Sequence, residues 1–520
     1  MMKSVVLFLE MHQPRRLSRK LGIHTSRLTK FRAVKEIDDL EKLYFDDELN
    51  RRILERVASR CYIPTLKIIL DKAKEFKRSG KELKLSIGAS GVVLEQLQMW
   101  RPEVLELMEE LVCMGCLELI AQTYYHSIAF MISDSEFKEQ IMKHRGLLEE
   151  LFGVRAITVE NTEFIYSDRI GRLLEELGFR VALTEGVKRI LKGIEPVHVF
   201  RAQGLRLRLL LRHYVLSDDI GFRFSNRSWD KWPLTADKYA TWLAYLPGEV
   251  VLIAIDMETF GEHHPPESGI FDFLKWLPEE IVKRGLMLSK PSEAAFSYEP
   301  IAEISVPDEN PISWADVEKD ISAWCGNELQ GFSLDRLRVL GYYIMKTGDE
   351  KLLRLWRYLT ISDHFYYMSL KRGPSGEVHS YFNPYGNPYE AFIAYNIALS
   401  DLEQRVIFTL KEREVMKIGS LDVKQPRLFS FKFYKDVNSP LGVEARNLLE
   451  LLEAIEQVPV EALEFHLSRG DIQEWLEVVL GDDELAREVD RISNLRGETL
   501  RARLREVIER RIEELMNVME

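Results

Sequence analysis

The stretch Val250-Val-Leu-Ile-Ala-Ile-Asp256-Met-Glu258 is an unbroken apolar run that ends in two acidic residues. Other short apolar runs are Val5 to Leu9, Leu83 to Ile87, Leu117 to Ala121, Ile157 to Val159, Val181 to Leu183 and Leu207 to Leu211. Such runs are typical of strands buried on both faces. Amphipathic helical patterns, for example Thr65 to Phe76 and Pro102 to Met114, lie between most of them. The alternation predicts an α/β fold with a parallel sheet.

Polar residues gather where these runs end. They are Glu10 with His12, Ser90, Gln122 to His126, Glu160 to Glu163, Thr184 with Glu185, and Asp256 to His264. The carboxyl ends of the strands converge on one face of an α/β barrel, and that face carries the chemistry. The repeated polar endings therefore favour a barrel and predict one acidic site at its carboxyl end.

The strand-like runs stop near residue 275, and helical patterns follow. We therefore predict a barrel domain over residues 1–275, a helical domain over 276–420 and a C-terminal helical domain over 421–520. Val423-Lys-Gln-Pro-Arg427 is typical of a linker into the last domain. There, an apolar stripe at helical spacing indicates an ordinary bundle helix; its members are Leu500, Leu504, Val507, Ile508, Ile512 and Leu515.

Charge and cysteine content narrow the function classes. The chain of 520 residues has a formal net charge of −12, which argues against a nucleic-acid or anionic-membrane partner. No apolar run is long enough to span a bilayer, and the N-terminus lacks a signal-peptide pattern, so we expect a cytoplasmic protein. Four cysteines agree with a reducing compartment, and the pair Cys113 and Cys116 reads as structural rather than metal-binding.

The carboxylates at the strand ends are the chemical candidates, because nucleotide-binding, serine-hydrolase and H-E-x-x-H motifs are missing from the sequence. Asp256 and Glu258, two residues apart on a strand, should share a face and raise one pKa, as a general acid requires. Glu160 and Glu163, three apart, should face opposite ways while the chain stays extended. Paired carboxylates among 9 Trp and 19 Tyr suggest glycoside chemistry.

The chain resembles glycoside hydrolase family 57, and within it the archaeal α-amylase-like branch, over roughly residues 1 to 400. The matching motifs are His12-Gln13-Pro14; Gly115-Cys-Leu-Glu118 with Tyr124-Tyr-His126; Asn161-Thr-Glu163; Asp256-Met-Glu258-Thr-Phe-Gly-Glu-His263; and Ser362-Asp363-His-Phe-Tyr366. The last segment resembles a small prokaryotic helical domain of unknown function.

The resemblance implies an incomplete (β/α)7 barrel, followed by a helical domain that completes a sugar cleft, and retaining chemistry on α-glucans without a cofactor or a metal. It makes Glu163 the nucleophile and Asp256 the general acid/base. It places further residues at the sugar, namely His12, Glu118, Glu258, Asp363, Tyr366 and Trp324. Two positions depart from the pattern: Glu10 stands where some members have histidine, and Glu160 stands where a basic residue is expected.

The leading hypothesis is retaining hydrolysis of α-1,4-glucans, with an α-glucan or maltooligosaccharide as substrate. Transfer to an acceptor sugar, as in a 4-α-glucanotransferase, is an alternative. A catalytically silent glucan-binding protein is a second one, suggested by Glu160. A metal-dependent polysaccharide hydrolase with His12 and Asp256 as ligands is a third. The sequence leaves the oligomeric state and the role of residues 421–520 open.

Overall fold

The computed structural model describes residues 2–18, 37–418 and 430–519. The chain divides into two compact units, one of Met1–Ile344 with Asp349–Asp401 and one of Met345–Gly348 with Leu402–Glu520. Residues 276–401 thus belong, apart from 345–348, to the same unit as the barrel. The predicted limit at residue 275 stays a prediction, and both the limit at 420 and the linker at 423–427 lie outside the described residues.

The strands of the first unit form one mixed sheet. They are β1 (Ser4–Met11), β2 (Leu85–Ala89), β3 (Leu117–Ile120), β4 (Thr158–Glu160), β5 (Val181–Glu185), β6 (Val199–Ala202), β7 (Arg208–Arg212), β8 (Val250–Asp256), β9 (Met287–Leu288) and β10 (Glu303–Ile304). The apolar runs of the sequence coincide with β1 to β5, β7 and β8. Their side chains are buried on both faces, which explains the missing polar alternation.

Parallel pairing closes seven of these strands into a ring. β1 lies between β8 and β2, β3 follows β2, and β5 joins β4 to β7. Two junctions are narrow: β3 meets β4 at the Ala121–Val159 bridge, and β7 meets β8 at the Arg212–Leu252 pair. β6, β9 and β10 lie outside the ring, where β6 pairs antiparallel with β7. The predicted α/β class with a seven-stranded barrel is confirmed.

The helices of the barrel region connect and cover the strands. They are Ile37–Tyr44, Asp47–Val57, Ile63–Arg78, Gly91–Trp100, Glu103–Cys113, Asp134–Phe152, Asp168–Glu176, Lys188–Leu191, Tyr214–Gly221, Ala236–Tyr245, Ile270–Lys283 and Pro291–Ser297. Several begin at a serine whose hydroxyl accepts a backbone N–H of the first turn, as Ser90, Ser133 and Ser167 do. These caps fix where each helix starts after its strand.

Helices continue beyond the barrel, as the sequence predicts. They are Ser322–Cys325, Glu328–Thr347, Glu350–Leu359, Ser362–Tyr366, Gly373–Phe382 and Pro388–Ile418. Trp356 and Tyr395 are among the largest fully buried side chains here. This helical part contributes Asp363 and Tyr366 to the region described below.

The second unit has its own apolar core. A hairpin of β11 (Phe431–Tyr434) and β12 (Pro440–Ala445) precedes the helices Leu448–Gln457, Val460–Arg469, Asp471–Glu474, Asp483–Ile492 and Gly497–Met519. The predicted stripe from Leu500 to Leu515 is buried in this core. Among the described residues of the whole chain, no helix has the length and apolar character needed to cross a membrane.

Candidate active site at the carboxyl end of the barrel

Strand register brings acidic residues together at one end of the barrel. Glu10 on β1 is level with Asp256 on β8 and with Gly88 on β2. Glu160 is the last residue of β4, and Arg212 is the last of β7. Because all these strands are parallel, their final residues meet at the same mouth.

Glu163 lies on a tight turn beyond β4. Its backbone is left-handed, with φ of 61° and ψ of 25°, and Phe164 follows with φ of 58°. The chain is extended through Asn161 and turns at Thr162–Phe164, so the extended chain on which the expectation for Glu160 and Glu163 depended ends before Glu163. The turn brings Glu163 close enough for its charge to raise the pKa of Glu160. A non-glycine residue in this conformation is strained, and such strain is common at functional sites.

Two donors face the Glu163 carboxylate. The Trp314 indole Nε1–H donates to Oε2 at 2.5 Å, and His126 Nε2 lies 3.4 Å from Oε1. The Trp314 ring also stacks on Phe164, with ring centroids 4.8 Å apart. Both contacts hold the carboxylate in one orientation.

His126 is the centre of a buried hydrogen-bond chain. Its Nδ1 lies 2.8 Å from Gln122 Oε1, and Gln122 Nε2 donates to Glu10 Oε1 at 2.8 Å. Burial lowers the pKa of His126, but the hydrogen bond and charge of Glu163, with other carboxylates nearby, outweigh it, so the pKa is raised. His126 is therefore suited to carry a proton toward Glu163.

His12 packs on His126, with ring centroids 4.0 Å apart and an interplanar angle of 20°. Its Nδ1 lies 2.7 Å from Ser90 Oγ, and its Nε2 lies 3.0 Å from Asp363 Oδ2. Burial and the charge of His126 lower the pKa of His12 to about 4. A neutral His12 that accepts from Ser90 and donates to Asp363 satisfies both contacts.

Asp363 is set up to stay ionised. Burial raises its pKa, but the charge and hydrogen bond of His12 and the charge of His126 bring it well below the ordinary value. Asp363 is partly exposed, so this carboxylate is available at the mouth of the barrel.

The pKa of Asp256, unlike that of Asp363, is raised. Burial raises its pKa to about 8, with further increases from the charges of Glu258 and Glu163, while Arg212 and His126 oppose the shift. A carboxyl group with this pKa is protonated at neutral pH and can donate a proton, as a general acid must. The sequence led us to expect a raised pKa for one carboxyl of the pair Asp256 and Glu258, and the pKa is raised for both, more strongly for Asp256.

Glu258 follows Asp256 by two residues and is held by other partners. β8 ends at Asp256, and the turn Met257–Thr259 follows, so strand alternation does not set the direction of Glu258. Its Oε1 accepts from Gln13 Nε2 at 3.0 Å and from the Tyr62 hydroxyl. Burial raises its pKa to about 7.

Tyr366 and Trp324 differ in their access to this region. Tyr366 is partly exposed and stacks on His379 at 3.6 Å. Burial, then the charges of Asp316 and Glu163, raises its pKa, which places it within reach of the acidic mouth. Trp324 is fully buried behind Tyr366, with ring centroids 6.4 Å apart. Full burial does not support the direct sugar contact predicted for Trp324.

Glu118 lies at the other end of the barrel. It is near the start of β3, where it accepts from Thr158, the first residue of β4, and from the backbone and hydroxyl of Ser292. The structure does not bring it together with Glu163 and Asp256. The position of Glu118 in the structure therefore does not support the sugar-binding role that the motif match implied.

Several residues of the site were not singled out from the sequence. Trp314 is 151 positions from the Glu163 it contacts, and Tyr62 is 196 positions from Glu258. Arg212 donates to Glu185 at 2.9 Å and to Asp218 at 2.7 Å and lies over the Trp314 ring. Position in the sequence does not indicate such contacts. For Arg212, a charged residue at the end of an apolar run was a possible indication of a functional position.

The donor set does not fit the metal-dependent alternative. In the described part of the chain, no group of three or more His, Cys, Asp or Glu residues is arranged to hold a metal ion. Both His12 nitrogens already have partners, Ser90 and Asp363, so no lone pair of this ring is free for a metal.

A parallel barrel with an acidic mouth bordered by aromatic side chains is typical of barrel enzymes that act on glycosidic bonds. A family model described as "Glycosyl hydrolase family 57" matches residues 6–307. The chain belongs to this family. A protein of Methanocaldococcus jannaschii named "Putative alpha-amylase" is 40% identical over 418 residues, which are 78% of this chain and 86% of that protein.

Solved structures show the same fold. A GH57 branching enzyme from Thermococcus kodakaraensis superposes with a TM-score of 0.57 at 14% identity, covering 82% of this chain and 93% of that one. A 4-alpha-glucanotransferase from Thermococcus litoralis gives a TM-score of 0.52 at 16% identity. That match covers 70% of this chain and 56% of the transferase.

Proposed function

We propose that the protein is a retaining glycosidase for α-1,4-glucans, with Glu163 as nucleophile and Asp256 as general acid/base. One observation carries the assignment: at a single barrel mouth, Trp314 and His126 orient the Glu163 side chain, and the pKa of Asp256 is raised to about 8. A retaining glycosidase needs an oriented nucleophile and a carboxyl group that keeps its proton as general acid.

The reaction then has two steps. A Glu163 carboxylate oxygen attacks the anomeric carbon while the bond to the leaving oxygen breaks, and Asp256 gives that oxygen its proton. In the second step Asp256 takes a proton from water, the water oxygen attacks the anomeric carbon, and Glu163 is released. An acceptor sugar hydroxyl in place of water gives transfer. The name "Putative alpha-amylase" of the Methanocaldococcus jannaschii relative supports an α-glucan or maltooligosaccharide as substrate.

The sugar at the cleavage point has several further contacts in this proposal. Asp363, oriented by His12, and Glu258, oriented by Tyr62 and Gln13, are placed to bind its hydroxyls. Tyr366 offers a partly exposed aromatic ring at the same mouth. We propose that the part of residues 276–420 that belongs to the barrel's own unit completes the cleft, since it supplies Trp314, Asp363 and Tyr366.

We also propose that the enzyme works in the cytoplasm. All four cysteines are free, which suits a reducing compartment. Detection of the protein in separated cell fractions tests this location.

Incubation with maltooligosaccharides of defined length tests the function. Wild type should form products whose newly released anomeric centre is initially α, detected by NMR, because two displacements retain configuration. Shorter chains alone indicate hydrolysis, and new longer chains indicate transfer. Glu163→Gln and Asp256→Asn should lower the rate by about 10³-fold or more. Glu176→Gln, which removes an exposed carboxylate paired with Lys138, is the control and should leave the rate unchanged.

Unchanged turnover in Glu163→Gln contradicts the assignment of the nucleophile. Glucan binding without any turnover by wild type instead supports the silent binding protein. An initial β product excludes the retaining pathway.

A further inference from the structure

Glu10 and Glu160 form a buried acidic pair beneath the proposed nucleophile. Glu10 is 3% exposed and Glu160 is 1% exposed. Three of their four carboxylate oxygens, Glu10 Oε2 and both oxygens of Glu160, have no hydrogen-bond partner among the described residues. A buried, unpartnered carboxylate oxygen is expensive, so this arrangement needs an explanation.

The fold makes room for the pair. Gly88 is the neighbour of Glu10 on β2, and a Cβ at Gly88 would lie 2.8 Å from Glu10 Oε2. A side chain at this position would therefore displace the Glu10 carboxyl. With glycine at this position the Glu10 carboxyl keeps its place, and it lies within hydrogen-bonding reach of the Glu160 side chain.

Two carboxyl groups that are buried next to each other cannot both stay ionised. Burial, and then the charge of Glu160, raises the pKa of Glu10 well above its ordinary value. Burial and the charge of Glu163 raise the pKa of Glu160. The other charged groups that act on the pair are His126, which lowers the pKa of Glu160, and Asp256, which raises that of Glu10. At neutral pH the pair therefore holds a proton.

We propose that Glu10 and Glu160 share a proton in one hydrogen bond, and that the pair acts through Gln122 to position the His126 imidazolium against Glu163. The two glutamates are positioning residues, and their catalytic part rests on the proposed function. The shared proton gives a partner to oxygens that otherwise have none.

The positioning follows from donor and acceptor roles. Glu10 Oε1 accepts from Gln122 Nε2, so the amide oxygen of Gln122 must face His126. His126 Nδ1 then carries a hydrogen in order to donate to that oxygen. With Nδ1 protonated, Nε2 can donate to Glu163 only when His126 is an imidazolium. Loss of the Glu10 acceptor would free the Gln122 amide to rotate and remove this constraint.

Infrared spectroscopy tests the shared proton without any substrate. The spectrum of wild type minus Glu160→Gln at pH 7 should contain the C=O stretch of one protonated, buried carboxyl group. Wild type minus Glu10→Gln should contain it too, because either glutamine can donate to the remaining carboxylate and leaves it ionised. The absence of this band from both difference spectra contradicts the proposal that Glu10 and Glu160 share a proton.

Kinetics on maltooligosaccharides test the positioning. Glu10→Gln keeps an oxygen that accepts from Gln122 and should keep kcat within about threefold. Glu10→Leu removes this acceptor and should lower kcat by about tenfold or more with KM nearly unchanged. Gln122→Leu breaks the hydrogen-bond chain from Glu10 to His126 at Gln122 and should lower kcat by a similar factor. This variant provides the test if Glu10→Leu does not fold.

Equal activity of Glu10→Leu and Glu10→Gln, with Gln122→Leu also fully active, overturns the positioning role. An inactive wild type would contradict the proposed function, while the infrared bands would still decide whether the proton is shared.

Discussion

Trp314 donates its indole N–H to the Glu163 carboxylate from a segment 151 residues further along the chain, beyond the last strand of the closed barrel. The backbone N–H of Trp314 also donates to the Glu163 carbonyl at 3.2 Å. The turn that carries the proposed nucleophile is thus held at both its backbone and its side chain by one residue. The indole contact restricts the carboxylate, and the backbone contact restricts the turn that carries it.

Trp314→Phe should lower kcat by roughly tenfold to a hundredfold with little change in KM. The phenyl ring keeps the stacking on Phe164 but lacks the N–H that orients Glu163. Steady-state kinetics on a maltooligosaccharide measure the effect. Trp276→Phe, at a half-exposed helix position, is the control. A Trp314→Phe enzyme with wild-type kcat would show that this hydrogen bond does not orient the nucleophile.

The activity should fall as the pH rises through about 8. Asp256 must be protonated to donate, and its pKa is raised to about 8, so the acid form is present below this pH and is lost above it. Glu258→Gln removes one of the charges that raise this pKa, and the alkaline limb of kcat/KM should move to lower pH. Profiles of both enzymes measure the shift. An alkaline limb that stays in place in Glu258→Gln contradicts the coupling of these two carboxyls.

Arg212→Met should destabilise the barrel by about 3–5 kcal/mol, because it leaves the buried Glu185 carboxylate without its main partner. Arg212 also pairs with Asp218, which loses its partner as well. Urea unfolding followed by tryptophan fluorescence measures the loss. Adding Glu185→Gln should restore part of the stability, since it removes a buried charge whose remaining ionic partner is the Lys319 ammonium at 3.4 Å. A loss below about 1 kcal/mol in the single variant contradicts this account.

Chelation should leave the activity unchanged. Both nitrogens of His12 are engaged, and the described residues contain no metal-binding cluster. Dialysis against a chelator, followed by the maltooligosaccharide assay with and without added Zn²⁺, checks this. A loss of activity that Zn²⁺ reverses would favour the metal-dependent alternative.

The barrel could be predicted from the sequence because each buried strand is an uninterrupted apolar run, as Val250 to Ile255 is. The location of the site could also be predicted, since Glu10, Glu160 and Asp256 end such runs and parallel strands end together. The direction of Glu163 could not be predicted, because a left-handed turn after Glu160 ends the strand alternation.

Motif matches were less reliable for single residues than for the fold. Glu118 belongs to a matching motif, yet its side chain is held by Thr158 and Ser292 at the amino end of the barrel. Trp324 is fully buried, although the family resemblance suggested a place at the sugar. A motif fixes a position along the chain, whereas access to a substrate depends on which elements cover that position.

The sequence by itself determined the alternation of strands and helices, and with it which carboxylates reach the mouth of the barrel, because hydrophobic periodicity and strand direction are local properties. The orientation of Glu163 and the raised pKa of Asp256 were decided only by the tertiary structure. Trp314 and His126 reach Glu163 from distant segments, and burial beside Glu258 raises the pKa of Asp256. Desolvation and charge interactions depend on distance in space, which separation along the chain does not give.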